Sequence, residues 1–185
     1  MAAPRAEGAG AHVVLVGLPG VGKSTVGRAA AERSGVPFVD FDDEIERREG
    51  RSVARIFAEL GEPRFRAAER ALTAELRGAA PAVLAPGGGW IENGDVVGLL
   101  RPPARLVYLR ASTATVLRRL GAATSARPLL SGPDPAGAIE RLLERRRPAY
   151  ESADVTLDTE ILGIEKLIAA VVQLVTVRGV GYVIG

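Results

Sequence analysis

The chain has 185 residues, and its 24 Lys and Arg residues nearly balance its 22 Asp and Glu residues, which gives a formal net charge of +2. This length accommodates one ordinary domain, and the 47% hydrophobic and 25% charged fractions are typical of a globular protein. Cysteine is absent, which excludes disulfides, thiolate nucleophiles and cysteine-bound zinc. We therefore expect a single globular domain in which any metal ion is bound by oxygen atoms.

Strands and helices alternate along the chain. Apolar runs bounded by turn residues predict strands at 12–16, 37–40, 82–85, 104–109 and 153–157. Periodic segments predict helices at 24–33, two or three between 42 and 77, then at 112–120, 136–147 and 164–175. This alternation predicts an α/β fold, a parallel sheet with helices on both faces and ligands at the carboxyl ends of its strands.

Three segments lie outside this pattern. Residues 1–11 are predicted to be a flexible N-terminal segment, and residues 176–185 form a tail to which no role is assigned. Residues 121–135 are rich in Gly, Pro, Ser and Thr and are long for a connection, so they are predicted to form a mobile lid on a single domain of residues 12–175.

Location and partners follow from what the sequence lacks. The first ten residues have no apolar signal-peptide core, and charged residues interrupt the longest apolar stretch. The small net charge gives little reason to expect a nucleic-acid partner. We expect a cytoplasmic monomer whose partners are small molecules, with neither nucleic acid nor membrane among them.

Residues 17–24, GLPGVGKS, match the pattern G-x-x-x-x-G-K-[ST] between a predicted strand and a predicted helix. In such a loop the glycines let backbone N–H groups turn toward phosphates, Lys23 reaches the β and γ oxygens, and Ser24 can bind Mg²⁺. The segment predicts a nucleotide site in which Gly20, Val21 and Gly22 supply backbone groups.

Acidic residues follow the second predicted strand. Alternation along an extended segment would point the carboxylates of Asp40 and Asp42 to one side. One can hold Mg²⁺ through water while the other accepts a proton from an acceptor hydroxyl. The alternative is an acidic N-cap of the next helix, which we expect for Asp43 and Glu44.

Arginines and glycines supply candidate acceptor contacts. Arg66 and Glu69 lie three residues apart on a predicted helix, where the carboxylate can orient the guanidinium toward a planar anion or simply form a surface pair. Gly87, Gly88 and Gly89 follow the third strand and permit a close approach by the substrate that any Cβ would block.

Two further arginines have alternative explanations. Arg127 lies in the predicted lid, where it can reach the triphosphate as the lid closes. Arg146 belongs to a basic trio at the end of a predicted helix, where basic residues are also favoured by the helix dipole.

Taken together, these motifs closely resemble the shikimate kinases. The residues that carry the resemblance are 17–25, Asp40-Phe41-Asp42, Phe65-Arg66 with Glu69, residues 87–89, Arg127-Pro128-Leu129-Leu130, and Arg146 with Pro148 and Tyr150. The resemblance implies a three-layer P-loop kinase fold with a five-stranded parallel sheet. It also implies the reaction of ATP with shikimate to give shikimate 3-phosphate and ADP.

The resemblance also implies a role for each residue. Lys23, Thr25 and the loop amides hold ATP, Ser24 binds Mg²⁺ with Asp40 behind it, and Asp42 is the base. Arg66 and Arg146 bind the shikimate carboxylate beside Gly87, Gly88 and Gly89. Arg127 lies near the phosphates, and Arg119 packs on adenine.

Trp90 departs from the family pattern, which has a small residue at this position. Its ring either faces the acceptor pocket and reshapes it or only caps the sheet. Two other functions stay open: a kinase for another carboxylated polyol or a cyclitol, such as gluconate, and a regulatory module that binds ATP without turnover. A GTPase is disfavoured because the chain has no Asn-Lys-x-Asp segment.

Overall fold

The computed structural model describes residues 11–121 and 133–176, and a five-stranded parallel sheet forms its centre. The strands are β1 (Val13–Val16), β2 (Phe38–Asp40), β3 (Val83–Ala85), β4 (Arg105–Arg110) and β5 (Val155–Asp158). They lie in the order β2-β3-β1-β4-β5, and each neighbouring pair is parallel. The direction of connection therefore reverses at β1, which is where such sheets bind ligands.

Helices connect the strands. They are α1 (Lys23–Ser34), α2 (Phe41–Glu49), α3 (Val53–Leu60), α4 (Glu62–Leu76), α5 (Gly94–Leu100), α6 (Thr113–Leu120), α7 (Pro135–Glu151) and α8 (Ile164–Thr176). A 3₁₀ turn, Trp90–Glu92, precedes α5. The predicted α/β alternation is confirmed, with three helices between β2 and β3.

Two parts of the helical prediction differ from the structure. The 3₁₀ turn and α5 were not predicted, because glycines interrupt the apolar pattern of that segment. The predicted end of α7 at residue 147 is wrong, since the helix continues through Pro148 to Glu151. Tyr150 beyond the proline is fully buried and stacks on Tyr108 at 4.8 Å, which keeps the last turn in place.

The sheet is covered on both faces. Successive side chains of a strand point to opposite faces, and all four residues of β1 are buried. On one face α1 packs against α8, and both helices contact β1. Gly27 allows the close packing of α1, because a Cβ there would lie 2.6 Å from the ring of Phe38.

Several predictions fall outside the described residues. These are the N-terminal segment up to residue 10, the lid from 122 to 132 with Arg127, and the tail after residue 176. Among the residues that the structure does describe, no helix is both long and apolar enough to span a membrane.

Gly27 and Gly98 form a matched pair for testing this packing. We expect Gly27→Ala to destabilise the protein by about 1–3 kcal/mol, because the added methyl overpacks the contact with Phe38. Gly98→Ala should stabilise it by about 0.5–1 kcal/mol, since Gly98 lies inside α5 with open space at its Cβ position. Urea unfolding measures both changes, and equal effects would contradict the packing of α1.

Candidate active site

The loop between β1 and α1 has the conformation that phosphate binding requires. Gly20 and Gly22 have positive φ angles of 80° and 102°, which residues with a Cβ rarely adopt. Lys23 Nζ donates to the carbonyl oxygens of Gly17 at 3.0 Å and Leu18 at 3.2 Å, so the ammonium lies over the loop. The first turn of α1 contains no acidic residue of its own, and the positive end of that helix lies at the loop. The arrangement is suited to a polyphosphate.

Ser24 and Asp40 lie side by side next to this loop. The Ser24 hydroxyl donates to Asp40 Oδ2 at 2.6 Å. Hydroxyl and carboxylate oxygens are hard ligands, and Mg²⁺ is usually held by one or two such groups together with phosphate and water. The described residues include no cluster of three or more His, Cys, Asp and Glu side chains that could hold a metal ion by themselves. The pair therefore fits an ion that arrives with a nucleotide.

The predicted geometry of the acidic segment is wrong. Asp40 and Asp42 do not share an extended strand, because β2 ends at Asp40 and α2 begins at Phe41. Asp40 is the N-cap of α2, and its Oδ1 accepts from the N–H of Asp42 at 3.1 Å. Asp43 is exposed and lies 3.7 Å from Arg28 on the outer surface. The cap thus fixes the first turn of α2, which carries Asp42.

The three glycines after β3 lie among the residues that were predicted to bind the acceptor. They form a turn, residues 87–89, that the N–H of Trp90 closes by donating to Gly87 O at 3.0 Å. We call residues 87–89 the glycine turn. None of the three glycines has a positive φ, so chain conformation does not explain them.

Close approach of side chains explains the glycine turn. A Cβ at Gly87 would lie 3.0 Å from Glu69 Oε1 and 3.3 Å from Asp42 Oδ1. A Cβ at Gly88 would lie 2.8 Å from Arg146 Nη1, and one at Gly89 would collide with the guanidinium of Arg66.

A Cβ in this turn was predicted to block the approach of the substrate. In the structure it would instead collide with the protein's own side chains. A Cβ at Gly88 would also lie 3.8 Å from Pro19 Cδ in the phosphate loop. Both arginines and Asp42 consequently meet beside that loop, at the carboxyl ends of the strands.

Arg66 and Glu69 form the predicted pair on α4. Arg66 donates to Glu69 and, at 2.9 Å, to Glu62 Oε1. Glu69 is only 2% exposed, so the alternative of a surface pair is wrong. Its Oε1 is buried without a hydrogen-bond partner, toward Gly87.

Burial raises the pKa of Glu69 to about 7; the charge and hydrogen bond of Arg66 oppose this, and the charge of Asp42 adds to it.

Arg146 is the other buried member of the site. It is 2% exposed, and its Nε donates to Glu92 Oε2 at 2.7 Å. The helix-dipole explanation is wrong, because α7 continues to Glu151 and Arg146 does not lie in its last turn. Glu92 was not identified from the sequence, since no predicted element contains it. A carboxylate seven residues after a strand carries no signal of such a role.

Arg119 is the residue that was predicted to pack on adenine. Its Nη1 donates to the Val21 carbonyl at 3.3 Å, and its Nη2 donates to the Thr159 carbonyl at 3.1 Å. The side chain thus bridges the phosphate loop and the segment after β5. Arg127, the predicted lid arginine, lies outside the described residues.

Trp90 is part of the core. Its side chain is 1% exposed and meets the Phe41 ring edge-on, with 6.4 Å between ring centroids. A ring at this depth neither faces an open acceptor pocket nor merely caps the sheet, so neither alternative stated for Trp90 describes its position.

Chemically, the site combines a polyphosphate loop, a carboxylate and two guanidinium groups. A carboxylate beside a phosphate loop can accept the proton of a hydroxyl acceptor. Two guanidinium groups a short distance away can bind a planar anion such as a carboxylate. The arrangement fits phosphoryl transfer to a small hydroxy acid.

Comparisons with known proteins agree with this chemistry. The family model for shikimate kinase matches residues 19–176. A shikimate kinase from Caulobacter vibrioides is 43% identical over 165 residues, which cover 87% of this chain and 82% of the relative. One from Thermobifida fusca is 48% identical over 151 residues, covering 79% of this chain and 84% of the relative.

A solved structure extends the likeness to three dimensions. Shikimate kinase from Acinetobacter baumannii, in complex with shikimate, superposes with a TM-score of 0.82 at 36% sequence identity. The match covers 89% of this chain and 92% of the other.

The pKa of Glu69 predicts a pH dependence of stability. Because the folded state raises this pKa from 4.5 to about 7, it binds the proton more tightly than the unfolded chain. The resulting stabilisation is complete below about pH 4.5 and is lost as the pH rises through about 7. We expect the unfolding free energy of the wild type, relative to Glu69→Gln, to fall by up to about 3 kcal/mol between pH 4.5 and 8.

Urea unfolding of both proteins at several pH values measures this difference. Glu75→Gln is the control, since Glu75 lies on the same helix but is exposed and paired with Arg48 at 2.9 Å. If the difference in unfolding free energy between the wild type and Glu69→Gln does not change with pH, the raised pKa of Glu69 is wrong.

Proposed function

The chain belongs to the shikimate kinase family and is an ATP-dependent kinase, and we propose that its site transfers the γ-phosphoryl group of ATP to the 3-hydroxyl of shikimate. The products are shikimate 3-phosphate and ADP. The observation that carries this proposal is the convergence of Asp42, Arg66 and Arg146 on a glycine turn beside the phosphate loop. Phosphoryl transfer depends mainly on such positioning and on charge stabilisation.

The phosphate loop holds the donor. The N–H groups of Gly20, Val21 and Gly22 and the start of α1, including Thr25, face the phosphates, and Lys23 neutralises their β and γ oxygens. Ser24, and Asp40 through water, would hold Mg²⁺, which would offset negative charge on the phosphates. Arg119 packs on the adenine, and Arg127 approaches the phosphates; the assignment of Arg127 rests on sequence alone.

Asp42 and the arginines serve the acceptor. Arg66 and Arg146 bind the shikimate carboxylate, which leaves the ring against Gly87, Gly88 and Gly89. Asp42 accepts the proton of the 3-hydroxyl as the hydroxyl oxygen bonds to the γ phosphorus. The bond between the γ phosphorus and the β–γ bridging oxygen breaks, and ADP leaves. Glu69 holds the Arg66 guanidinium in place.

Two features bear on the choice of acceptor. Two arginines favour an acceptor that carries a carboxylate over one that does not, and the glycine turn adjoins the rest of the acceptor. A cytoplasmic location and a monomeric state stay predictions. The lid and the division of the chain into residues 1–11, 12–175 and 176–185 also stay predictions.

Release of ADP by the purified protein with ATP and Mg²⁺ tests the function. The acceptors to compare are shikimate, quinate, gluconate and a cyclitol without a carboxylate. We expect turnover with shikimate and little with the cyclitol. Strong turnover of gluconate with shikimate inactive would support a kinase for another carboxylated polyol, and ATP binding without turnover would support the regulatory module.

Asp42→Asn tests the proposed base. It should lower kcat by roughly a hundredfold or more, because the hydroxyl proton loses its acceptor, while ATP affinity changes little. Steady-state kinetics and nucleotide titration measure the two effects. Asp43→Asn is the matched control, since Asp43 is the next carboxylate along α2 but faces Arg28. Equal activity of the two variants would remove Asp42 from the mechanism.

Arg66→Ala tests the carboxylate contact. Loss of a charge-assisted hydrogen bond should raise the KM for shikimate roughly ten- to a hundredfold and leave the KM for ATP near its wild-type value. Arg64→Ala is the control, because Arg64 is exposed and pairs with Glu49 at 2.8 Å. A change confined to ATP would show that Arg66 serves the nucleotide.

A further inference from the structure

The 3₁₀ turn Trp90–Glu92 contacts both helices that carry the acceptor arginines. Its first residue, Trp90, donates from Nε1 to Thr73 Oγ1 on α4 at 3.0 Å. Its last residue, Glu92, accepts from Arg146 on α7 at 2.7 Å. Because the glycine turn leads directly into this 3₁₀ turn, the two segments together form one connection between α4, which carries Arg66, and α7, which carries Arg146.

We propose that Trp90 and Glu92 are positioning residues for recognition of the acceptor carboxylate. They fix the guanidinium groups of Arg66 and Arg146 relative to the glycine turn. The inference rests on the proposed function, in which those two arginines bind the carboxylate.

Glu92 determines where the Arg146 guanidinium lies. Arg146 is buried, and a buried guanidinium needs a partner that both offsets its charge and accepts its hydrogen bonds. Glu92 Oε2 accepts from Nε, while Nη1 lies next to Gly88. The other carboxylate oxygen, Oε1, accepts from Arg145 Nε at 2.6 Å, so Glu92 is held from two sides.

The ionisation of Glu92 supports this arrangement. Partial burial opposes the charge, but the hydrogen bonds and charges of Arg146 and Arg145 outweigh burial and lower the pKa of Glu92. The carboxylate is therefore charged at the pH at which a phosphoryl-transfer reaction is assayed.

Trp90 acts on Arg66 through a chain of hydrogen bonds. Thr73 Oγ1, which accepts from the indole, donates to the Glu69 carbonyl at 2.6 Å. The side chain of Glu69 in turn pairs with Arg66. Trp90, Thr73 and Glu69 are all buried, and hydrogen bonds at such positions cannot be replaced by bonds to water without cost.

The same indole also supports the helix that carries the base. Its ring meets Phe41, which lies between Asp40 and Asp42. One side chain thereby touches the start of α2 and, through Thr73, the middle of α4. A role in position predicts that loss of these contacts changes shikimate binding more than ATP binding.

Glu92→Gln tests the contact with Arg146. The neutral amide should raise the KM for shikimate roughly tenfold while kcat and the KM for ATP stay within about twofold, because only a charge-assisted bond to the guanidinium is weakened. Glu144→Gln is the matched control, since Glu144 pairs with Arg147 at 2.8 Å on the exposed side of α7. A wild-type KM for shikimate in Glu92→Gln, or equal changes for both substrates, would overturn the proposal.

Arg146→Ala in the same series separates this inference from the proposed function. If Arg146→Ala leaves the KM for shikimate unchanged, the proposed function is wrong at this residue. If Arg146→Ala raises it and Glu92→Gln does not, only the positioning role is wrong.

Thr73→Val and Thr73→Ser test the contact with Trp90. Valine keeps the shape of threonine without a hydroxyl and should raise the KM for shikimate about fivefold, whereas serine keeps the hydroxyl and should stay within about twofold. Trp90 is the only tryptophan in the sequence, so its emission should shift in Thr73→Val and not in Thr73→Ser. A fall in thermal stability of Thr73→Val with an unchanged KM would overturn the role of Trp90.

Discussion

The proposed acceptor site depends on the close approach of charged side chains to a backbone without Cβ atoms at residues 87–89. Three successive glycines each face a different group: Glu69 with Asp42, then Arg146, then Arg66. A Cβ at either of the last two positions would lie within 3 Å of a guanidinium nitrogen, closer than real Cβ contacts. Steric space at one turn therefore decides whether groups from α2, α4 and α7 can meet at the end of the sheet.

Hydrogen-bonded pairs hold the buried side chains of this crowded arrangement in position. Arg146 and Glu69 are almost fully buried, and each has an oppositely charged partner in Glu92 and Arg66 respectively. An unpaired charge at this depth would cost several kcal/mol. In the proposed function, the same pairs hold the guanidinium groups for a substrate carboxylate, so that little conformational entropy is lost when the acceptor binds.

The sequence predicted the elements and most candidate residues, but it did not predict how they are held. The strand-loop-helix order and the phosphate loop have strong local patterns, and the structure confirms them. The placement of Asp42 was derived from strand alternation, whereas the Asp40 cap starts α2 immediately and determines that placement. Glu92 and Thr73 have no local signal, because their partners lie 54 and 17 residues away. Such contacts follow from tertiary structure alone.

Calorimetric titration of shikimate into Gly88→Ala tests the central claim most directly. The added Cβ would lie 2.8 Å from Arg146 Nη1, so the account predicts roughly tenfold weaker binding or worse, with ATP binding little changed. Gly94→Ala is the control, since open space surrounds its Cβ position in the same segment. Shikimate binding by Gly88→Ala with wild-type affinity would contradict the claim that close approach at the glycine turn builds the site.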